Sequence, residues 1–406
     1  FDLERNPVRK ELVAATHARG IWTFPLDSVF VQQGQAVVSV GGTIETEGNS
    51  GVGNVLVNAQ TTNAAGLFDI PGVPGCQSYT LTPYRNDFPL NGVSTYDLVL
   101  ITKHILGLEA LPSPYKIIAA DANKSQSVTT FDVVVLRKLI LGIDTAFLNN
   151  TSWRFIPGDF VFSDPANPLL SAFPETLAVP LQALPVSGLD FTGLKVGDVN
   201  DSAIPSLTNA SLERYAGDWP IFVQSTDFEP NKTINVGFSG NMSSVAGVQF
   251  SLKFDAKYLT FESLEPLFDG LSADNFNIRH TADGWLSVCF ENPQTFRNKI
   301  SFQKTGTPQA LFNIVFKTKA GGRLAEHLSL GDIPTPRYAF KPDGSALKPV
   351  FDTPAFATGG QVRIWPVPFG RSGVRMDVSK TGGGTCSIRI FDIRGKLVAE
   401  KTLSGD

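Results

Sequence analysis

Six oxygen-bearing residues at near-alternate positions, Asp121, Asn123, Ser125, Ser127, Thr129 and Asp132, are the part of this chain best equipped for chemistry. Positions 1, 3, 5, 7, 9 and 12 of a twelve-residue loop are where a calcium ion collects oxygen ligands, and the last carboxylate ties the metal to the helix that follows. Asp121 and Asp132 would bring charge, Asn123 and Ser125 neutral oxygens, and Ser127 its backbone carbonyl. The alternative is a solvated polar turn in which Asp132 only caps a helix. With two carboxylates the loop predicts weak binding, on the order of 10⁻⁴ to 10⁻³ M, which is useful only outside the cell.

The helix that must position Asp132 is written twice. Thr95-Tyr96-Asp97-Leu98 through Ile105-Leu106-Gly107 recurs 35 residues later as Thr130-Phe131-Asp132-Val133 through Ile140-Leu141-Gly142. Each copy predicts a helix with an apolar stripe, Leu98, Ile101 and Ile105 or Val133, Leu136 and Ile140, stopped by glycine. Paired half-EF-hands ending in Ile-Leu-Gly resemble a type I dockerin over roughly residues 84–150. The first copy departs from that pattern. Its positions 1, 3 and 5 fall on Asn86, Phe88 and Leu90, so a weaker second calcium site has only Asn86, Asp87, Asn91, Ser94 and Asp97 to draw on.

The dockerin resemblance also implies recognition residues for a partner module: Thr95, Tyr96, Lys103 and His104 in the first copy, and Thr130, Phe131, Lys138 and Leu139 in the second. The favoured alternative packs Tyr96 and Phe131 into the neighbouring upstream spacer module, making one rigid unit, because the second copy is very apolar for an open face. For His104 a plain surface histidine is the default. Downstream, Asp198, Asn200 and Asp201 resemble the front of another calcium loop, and a turn built on Asx hydrogen bonds is the preferred explanation.

The flanks predict a mainly β chain of tandem β-sandwich modules around this small helical one. Residues 1–36 read as the tail of an upstream β module. Residues 37–83 alternate in short strands and resemble a prealbumin-like sandwich of the carboxypeptidase regulatory-like kind. Prolines 165, 168, 174 and 180 make 151–207 an extended wrap around the calcium helices. Residues 208–352 alternate over Thr233–Phe238, Gly247–Asp255, Leu259–Leu264, Leu286–Phe290 and Ala310–Thr318. The order of Gly-x-Gln-Phe-x-Leu-x-Phe-Asp, Leu-x-Phe-x-Ser and Leu-Phe-x-Ile-x-Phe strands resembles a cohesin, a nine-stranded jelly-roll sandwich. Residues 353–406 carry Trp365-Pro366-Val367-Pro368-Phe369 and Ile390-Phe391-Asp392-Ile393-Arg394-Gly395-Lys396-Leu397-Val398. Together these are similar to the sorting domain of the Bacteroidota type IX secretion system, with the usual final strands missing.

Composition narrows the function classes. A formal net charge of -4 over 406 residues gives no reason to expect nucleic acid, and no apolar run suggests a membrane span. Cys76, Cys289 and Cys386 are odd in number and far apart, so they read as lone core thiols. The first residues lack a signal-peptide core, which points to processing or to a piece of something longer. His17, His104, His280 and His327 fall in separate segments with no metal-ligand or nucleophile-elbow spacing. Trp22, Trp153, Trp219, Trp285 and Trp365 are scattered, so core packing is preferred over sugar stacking for each. The reading is a non-enzymatic, calcium-stabilised, extracellular structural or adhesive rod, at the outer-membrane surface of a Gram-negative bacterium. Its partners would be other surface or matrix proteins, copies of itself, the type IX machinery and a cohesin–dockerin-type partner. The alternative is the accessory tail of a large secreted degradative enzyme.

Overall fold

The computed structural model describes residues 37–74, 78–180, 186–206, 215–223, 226–296 and 308–352. It also describes seven terminal strands, mostly as backbone: Asp2–Asn6, Glu11–Thr16, Gly20–Pro25, Gly360–Trp365, Arg375–Lys380, Thr385–Phe391 and Leu397–Ser404. His17, Cys76 and the Pro366–Phe369 and Asp392–Lys396 parts of the sorting-like motifs lie outside the described residues. The chain is mainly β, with a β-sandwich over residues 218–352 as its largest unit. No described helix is long and apolar enough to cross a membrane.

The first sandwich is assembled from two separated stretches of chain. Its main sheet runs in the order Trp153–Pro157, Phe191–Lys195, Val37–Glu45, Leu67–Pro74. Phe191 pairs in parallel with Ile44, so the later stretch lies beside the earlier one. Small sheets formed by Leu56–Val57, Gln60–Thr61 and Pro83–Tyr84, and by Ser78–Leu81 with Leu177–Pro180, close a core of Val40, Ile44, Val57, Leu81, Trp153 and Phe191. The segment expected to run as an extended wrap therefore contributes strands, and the prolines fall at their ends and in the loops between them, where no ladder amide is needed.

Inserted between Tyr84 and Trp153 are three helices, α1 (Thr95–Ile105), α2 (Pro114–Ala120) and α3 (Thr130–Ile140). Both repeated helices begin on a capping box. Ser94 or Thr129 caps the first turn, and Asp97 or Asp132 reaches back to the cap amide, which satisfies donors that the helix cannot. Leu98 and Ile101 of α1 meet Val133, Leu136 and Ile140 of α3 in a core shared with Ile118 and Val196.

The second sandwich spans Asp218–Asp352. One sheet holds Leu259–Pro266, Gln309–Thr318, Thr233–Gly240 and Asp218–Val223, in that order. Ala346–Asp352 runs parallel to Asp218–Val223 and links through Tyr338–Phe340 to the other sheet, where Gly247–Phe254 pairs with Trp285–Glu291. The strands coincide with the alternating stretches of the sequence, because inward Phe238, Phe250, Phe312 and Phe316 fill the space between sheets. Trp153 and Trp219 are buried as expected, whereas Trp22 is 62% exposed. Trp285 stacks on His280 with ring centroids 4.1 Å apart.

Candidate functional site

The loop from Asp121 to Asp132 folds inward on its two carboxylates, both almost wholly buried. The Ser125 amide donates to Asp121 Oδ1 (2.8 Å) and the Gln126 amide to Asp121 Oδ2 (2.9 Å). Asn123 Oδ1 accepts from the Ser125 amide (2.9 Å), and Ser125 Oγ donates to the Ser127 carbonyl (3.2 Å). Left-handed backbone at Lys124 (φ 58°) makes the turn. Asp132 Oδ1 accepts from the Asn123 amide (3.1 Å) and Oδ2 from the Thr129 amide (2.8 Å). The Thr129 hydroxyl is spent on the helix cap. Burial raises the Asp132 pKa above the ordinary carboxylate range, against the pull of the Thr129 and Asn123 amides.

The first-copy residues are not gathered the same way. Asn86 Oδ1 accepts from the Ser152 amide, Asp87 pairs with Arg85, and Asn91 exchanges two hydrogen bonds with the Ile204 backbone. Only Ser94 and Asp97 of the expected set stay together. What faces Asp97 instead is a segment about a hundred residues downstream in the chain. The Val199 amide donates to Asp97 Oδ1 (2.9 Å), while the Ser94 amide and hydroxyl take Oδ2 (both 2.9 Å).

Residues 198–203 repeat the front of the other loop, offset by offset. The Ser202 amide donates to Asp198 Oδ1 (3.2 Å) and the Ala203 amide to Asp198 Oδ2 (2.9 Å). Asn200 Oδ1 accepts from the Ser202 amide (3.0 Å), and left-handed Asp201 (φ 60°) stands where Lys124 stands. Ser202 Oγ donates to the Gly92 carbonyl (3.0 Å), as Ser125 Oγ does to Ser127, and Gly92 precedes Ser127 by 35 residues. The Asx turn preferred from sequence is therefore present, and it is also the missing front of the first-copy loop. The signal was in the sequence: Asp198-x-Asn200-x-Ser202 duplicates Asp121-x-Asn123-x-Ser125.

Full burial, with the Asp198 charge beside it, pushes the Asp97 carboxyl up to about 8. Burial also raises Asp198. Lys195, buried nearby, is pushed down to about 7 by burial and donates to the Pro89 and Val196 carbonyls rather than to either carboxylate. Among the described residues no three His, Cys, Asp or Glu side chains converge on one point. Each loop thus offers two carboxylates plus amide, hydroxyl and carbonyl oxygens, with no nitrogen or sulfur, a donor set that fits a hard cation such as calcium.

The same two helices are seated on the second sandwich. At the start of α1, the Thr95 amide (2.7 Å) and hydroxyl (2.9 Å) both donate to Gln249 Oε1. The Thr95 hydroxyl also lies 3.3 Å from Cys289 Sγ. Tyr96 stacks on Phe340 at 5.7 Å and donates to the Pro342 carbonyl. At the end of α3 the carbonyls that a helix leaves unpaired are taken by sandwich side chains. Ile140 O accepts from Thr335 Oγ1 (2.7 Å), and Leu141 O from Ser287 Oγ (2.6 Å) and Asn277 Nδ2 (3.1 Å). Arg137 Nη2 reaches both oxygens of Glu291 (3.0 and 3.1 Å). Burial raises the Glu291 pKa and pushes the Cys289 thiol up to about 12.

This corrects the expectation that Tyr96 and Phe131 pack into the first sandwich. Tyr96 lies on the second, and Phe131 is 61% exposed, because the antiparallel helices present opposite ends to the sheet. Of the other expected recognition residues only Thr95 reaches the junction. Lys103 pairs with Glu109, His104 Nδ1 accepts from the Leu111 amide, Thr130 and Lys138 are exposed, and Leu139 is in the core. Arg137 and the sandwich partners Asn277, Ser287, Glu291 and Thr335 were not singled out from sequence, and Gln249 was read only as a strand position. Nothing in a strand pattern marks which outward side chains will meet a helix end.

Residues 222–327 match the cohesin domain family model. Among solved structures, a type I cohesin–dockerin complex from Clostridium thermocellum matches at 13% identity and TM-score 0.27, covering 35% of this chain and 94% of that one. CaCohA2 from Clostridium acetobutylicum matches at 14% identity and TM-score 0.24, covering 34% and 94%. A non-cellulosomal cohesin from the archaeon Archaeoglobus fulgidus matches at 16% identity and TM-score 0.22, covering 33% and 86%. No curated protein matches.

Proposed function

We propose that this chain is a non-enzymatic structural and scaffolding element of the extracellular surface, in which a dockerin-like helical module docks on the chain's own cohesin-like sandwich. One observation carries the reading: the start of α1 and the end of α3 are hydrogen-bonded to the second sandwich, Thr95 and Leu141 to Gln249 and Ser287 of the sheet formed by Gly247–Phe254 and Trp285–Glu291, and Ile140 to Thr335 in the loop before Tyr338–Phe340. The prealbumin-like and sorting-domain resemblances support a surface protein exported by a type IX system. The cohesin match supports scaffolding in particular.

Calcium is the cofactor of this reading. Asp121, Asn123, Ser125, the Ser127 carbonyl and Asp132 would hold one ion. Asp198, Asn200, Ser202, the Gly92 carbonyl and Asp97 would hold a second. Calcium would neutralise carboxylate pairs that are otherwise buried at a cost. Since α1 and α3 both start from those carboxylates, the metal would fix the start of α1, which meets the sheet, and the direction of α3, whose far end does.

The test is association of separately expressed fragments 37–206 and 215–352, each of which has its own core. Binding in calcium that weakens in chelator is expected. Absence of binding at high concentration refutes the self-docked reading.

A further inference from the structure

The helical module and the second sandwich meet without sharing a core. The sandwich core runs from Trp219 to Leu347 and the helical core from Val93 to Val199, and only Cys289 crosses from the first into the second. Between them lie polar contacts: Thr95 with Gln249, the α3 carbonyls with Ser287, Asn277 and Thr335, and Arg137 with Glu291. A contact that can part with the loss of Cys289 alone from the helical core has the character of an interface between proteins rather than of a domain interior. The chain passes between the two bodies once among the described residues, from Ser206 to Tyr215. The eight intervening residues, 207–214, span at most about 28 Å when extended.

We propose that this junction is exchangeable between copies: the helices of one chain dock on the sheet of a second, and the second reciprocates, so the partner that the cohesin-like face takes is another copy of this chain. The inference rests on the self-docked reading above. Every contact made within one chain can be made between two, so the contacts themselves do not choose between closed monomer and exchanged dimer. The choice falls to the effective concentration set by the connector against the concentration of other copies. Arg137 and Glu291 give the handle for a test. Both side chains are largely buried, at 19% and 9% exposure, so reversing either charge puts like charges in contact.

Full-length R137E and full-length E291R are prepared separately. Alone, each has like charges at the junction whether it docks within the chain or between copies. When the two are mixed, the glutamate introduced at position 137 of one chain meets the arginine introduced at position 291 of the other, and the reciprocal junction is the native pair. Light scattering is expected to give the monomer mass for each variant alone and twice that mass for the equimolar mixture. The double variant R137E/E291R, repaired within one chain, should behave as wild type. A mixture that stays at monomer mass overturns the proposal.

Should either variant fail to fold, the wild-type chain in two differently tagged forms is mixed at high concentration, passed through mild urea and re-equilibrated. Co-purification of the tags is expected, and its absence overturns the proposal. If the separate fragments bind each other but full-length copies never exchange, the exchange fails while self-docking stands.

Discussion

The repeated motif carries an internal control at its terminal glycine. Gly107 and Gly142 occupy the same place in the two copies, with φ of 66° and 69°, so alanine at either pays the left-handed penalty of about 1–2 kcal/mol. Space tells them apart. A Cβ on Gly107 would meet nothing within 4 Å, whereas one on Gly142 would stand 2.9 Å from Pro334 Cβ and 3.0 Å from its Cγ. Pro334 belongs to the sandwich, and its ring cannot swing aside like a flexible side chain. Gly142→Ala must therefore strain the contact or part the junction, adding about 1–3 kcal/mol. We expect a loss of about 1–2 kcal/mol for Gly107→Ala and about 2–5 kcal/mol for Gly142→Ala in urea unfolding. Thiol labelling of Cys289 in a Cys76→Ser, Cys386→Ser background gives the second readout, since that thiol is buried beneath Thr95. Equal losses for the two alanines, with Cys289 equally protected in both, would refute the seating of α3 on the sandwich.

Three further outcomes follow from the same geometry. Arg137→Ala strands the buried Glu291 carboxylate and should cost about 3–5 kcal/mol, while adding Glu291→Gln should recover most of that loss in the same unfolding assay. About 10 mM calcium should stabilise each loop by about 1–3 kcal/mol by mass action. Calorimetry with and without chelator should find the first loop's share abolished by Asp97→Ala or Asp198→Ala and untouched by Asn86→Ala. In chelator, stability should fall as pH rises from about 4 to about 7, because unfolded Asp97 ionises near its ordinary value while the folded carboxyl, held near 8, stays protonated. Asp198, Asp132 and Glu291, all raised, add the same sign, and Lys195 stays charged in both states until about 7. A flat profile over that window in urea titrations would count against the buried carboxylates.

Legibility in the sequence followed the range of the interactions. The strands of the second sandwich could be read because one buried face imposes a period of two, as in Thr233–Gly240. The repeated helices could be read because capping and apolar stripe are local, each settled within a dozen residues. At 151–207 the packing of Phe160, Phe162, Leu169 and Phe173 against the helices agrees with a wrap, but proline spacing hid strands whose pairing depends on Val37–Glu45, more than a hundred residues earlier. The junction was readable only on the helix side. The dockerin resemblance marked Thr95 and Tyr96, and only the distant Gln249, Cys289 and Phe340 make them contacts.

The first-copy loop shows how a proposed cation site can be divided between two distant segments of chain. Coordination asks for oxygens at fixed positions in space, and covalent continuity matters only through the entropy of bringing the pieces together, which grows slowly with the length of the closed segment. In this chain the closure is already made by other contacts. The Phe191–Lys195 strand pairs with both Trp153–Pro157 and Val37–Glu45, and the Gly197 amide is held by the Ala119 carbonyl at the end of α2. Asp198 therefore emerges beside the α1 cap whether or not a metal is bound, and the Asp97 loop can spare Phe88 and Leu90 from ligand duty. Those residues are then free for another use: Leu90 packs against the helical core. What the first copy lost at positions 1, 3 and 5 is thus supplied by a segment held in place by the sandwich into which the helices are inserted.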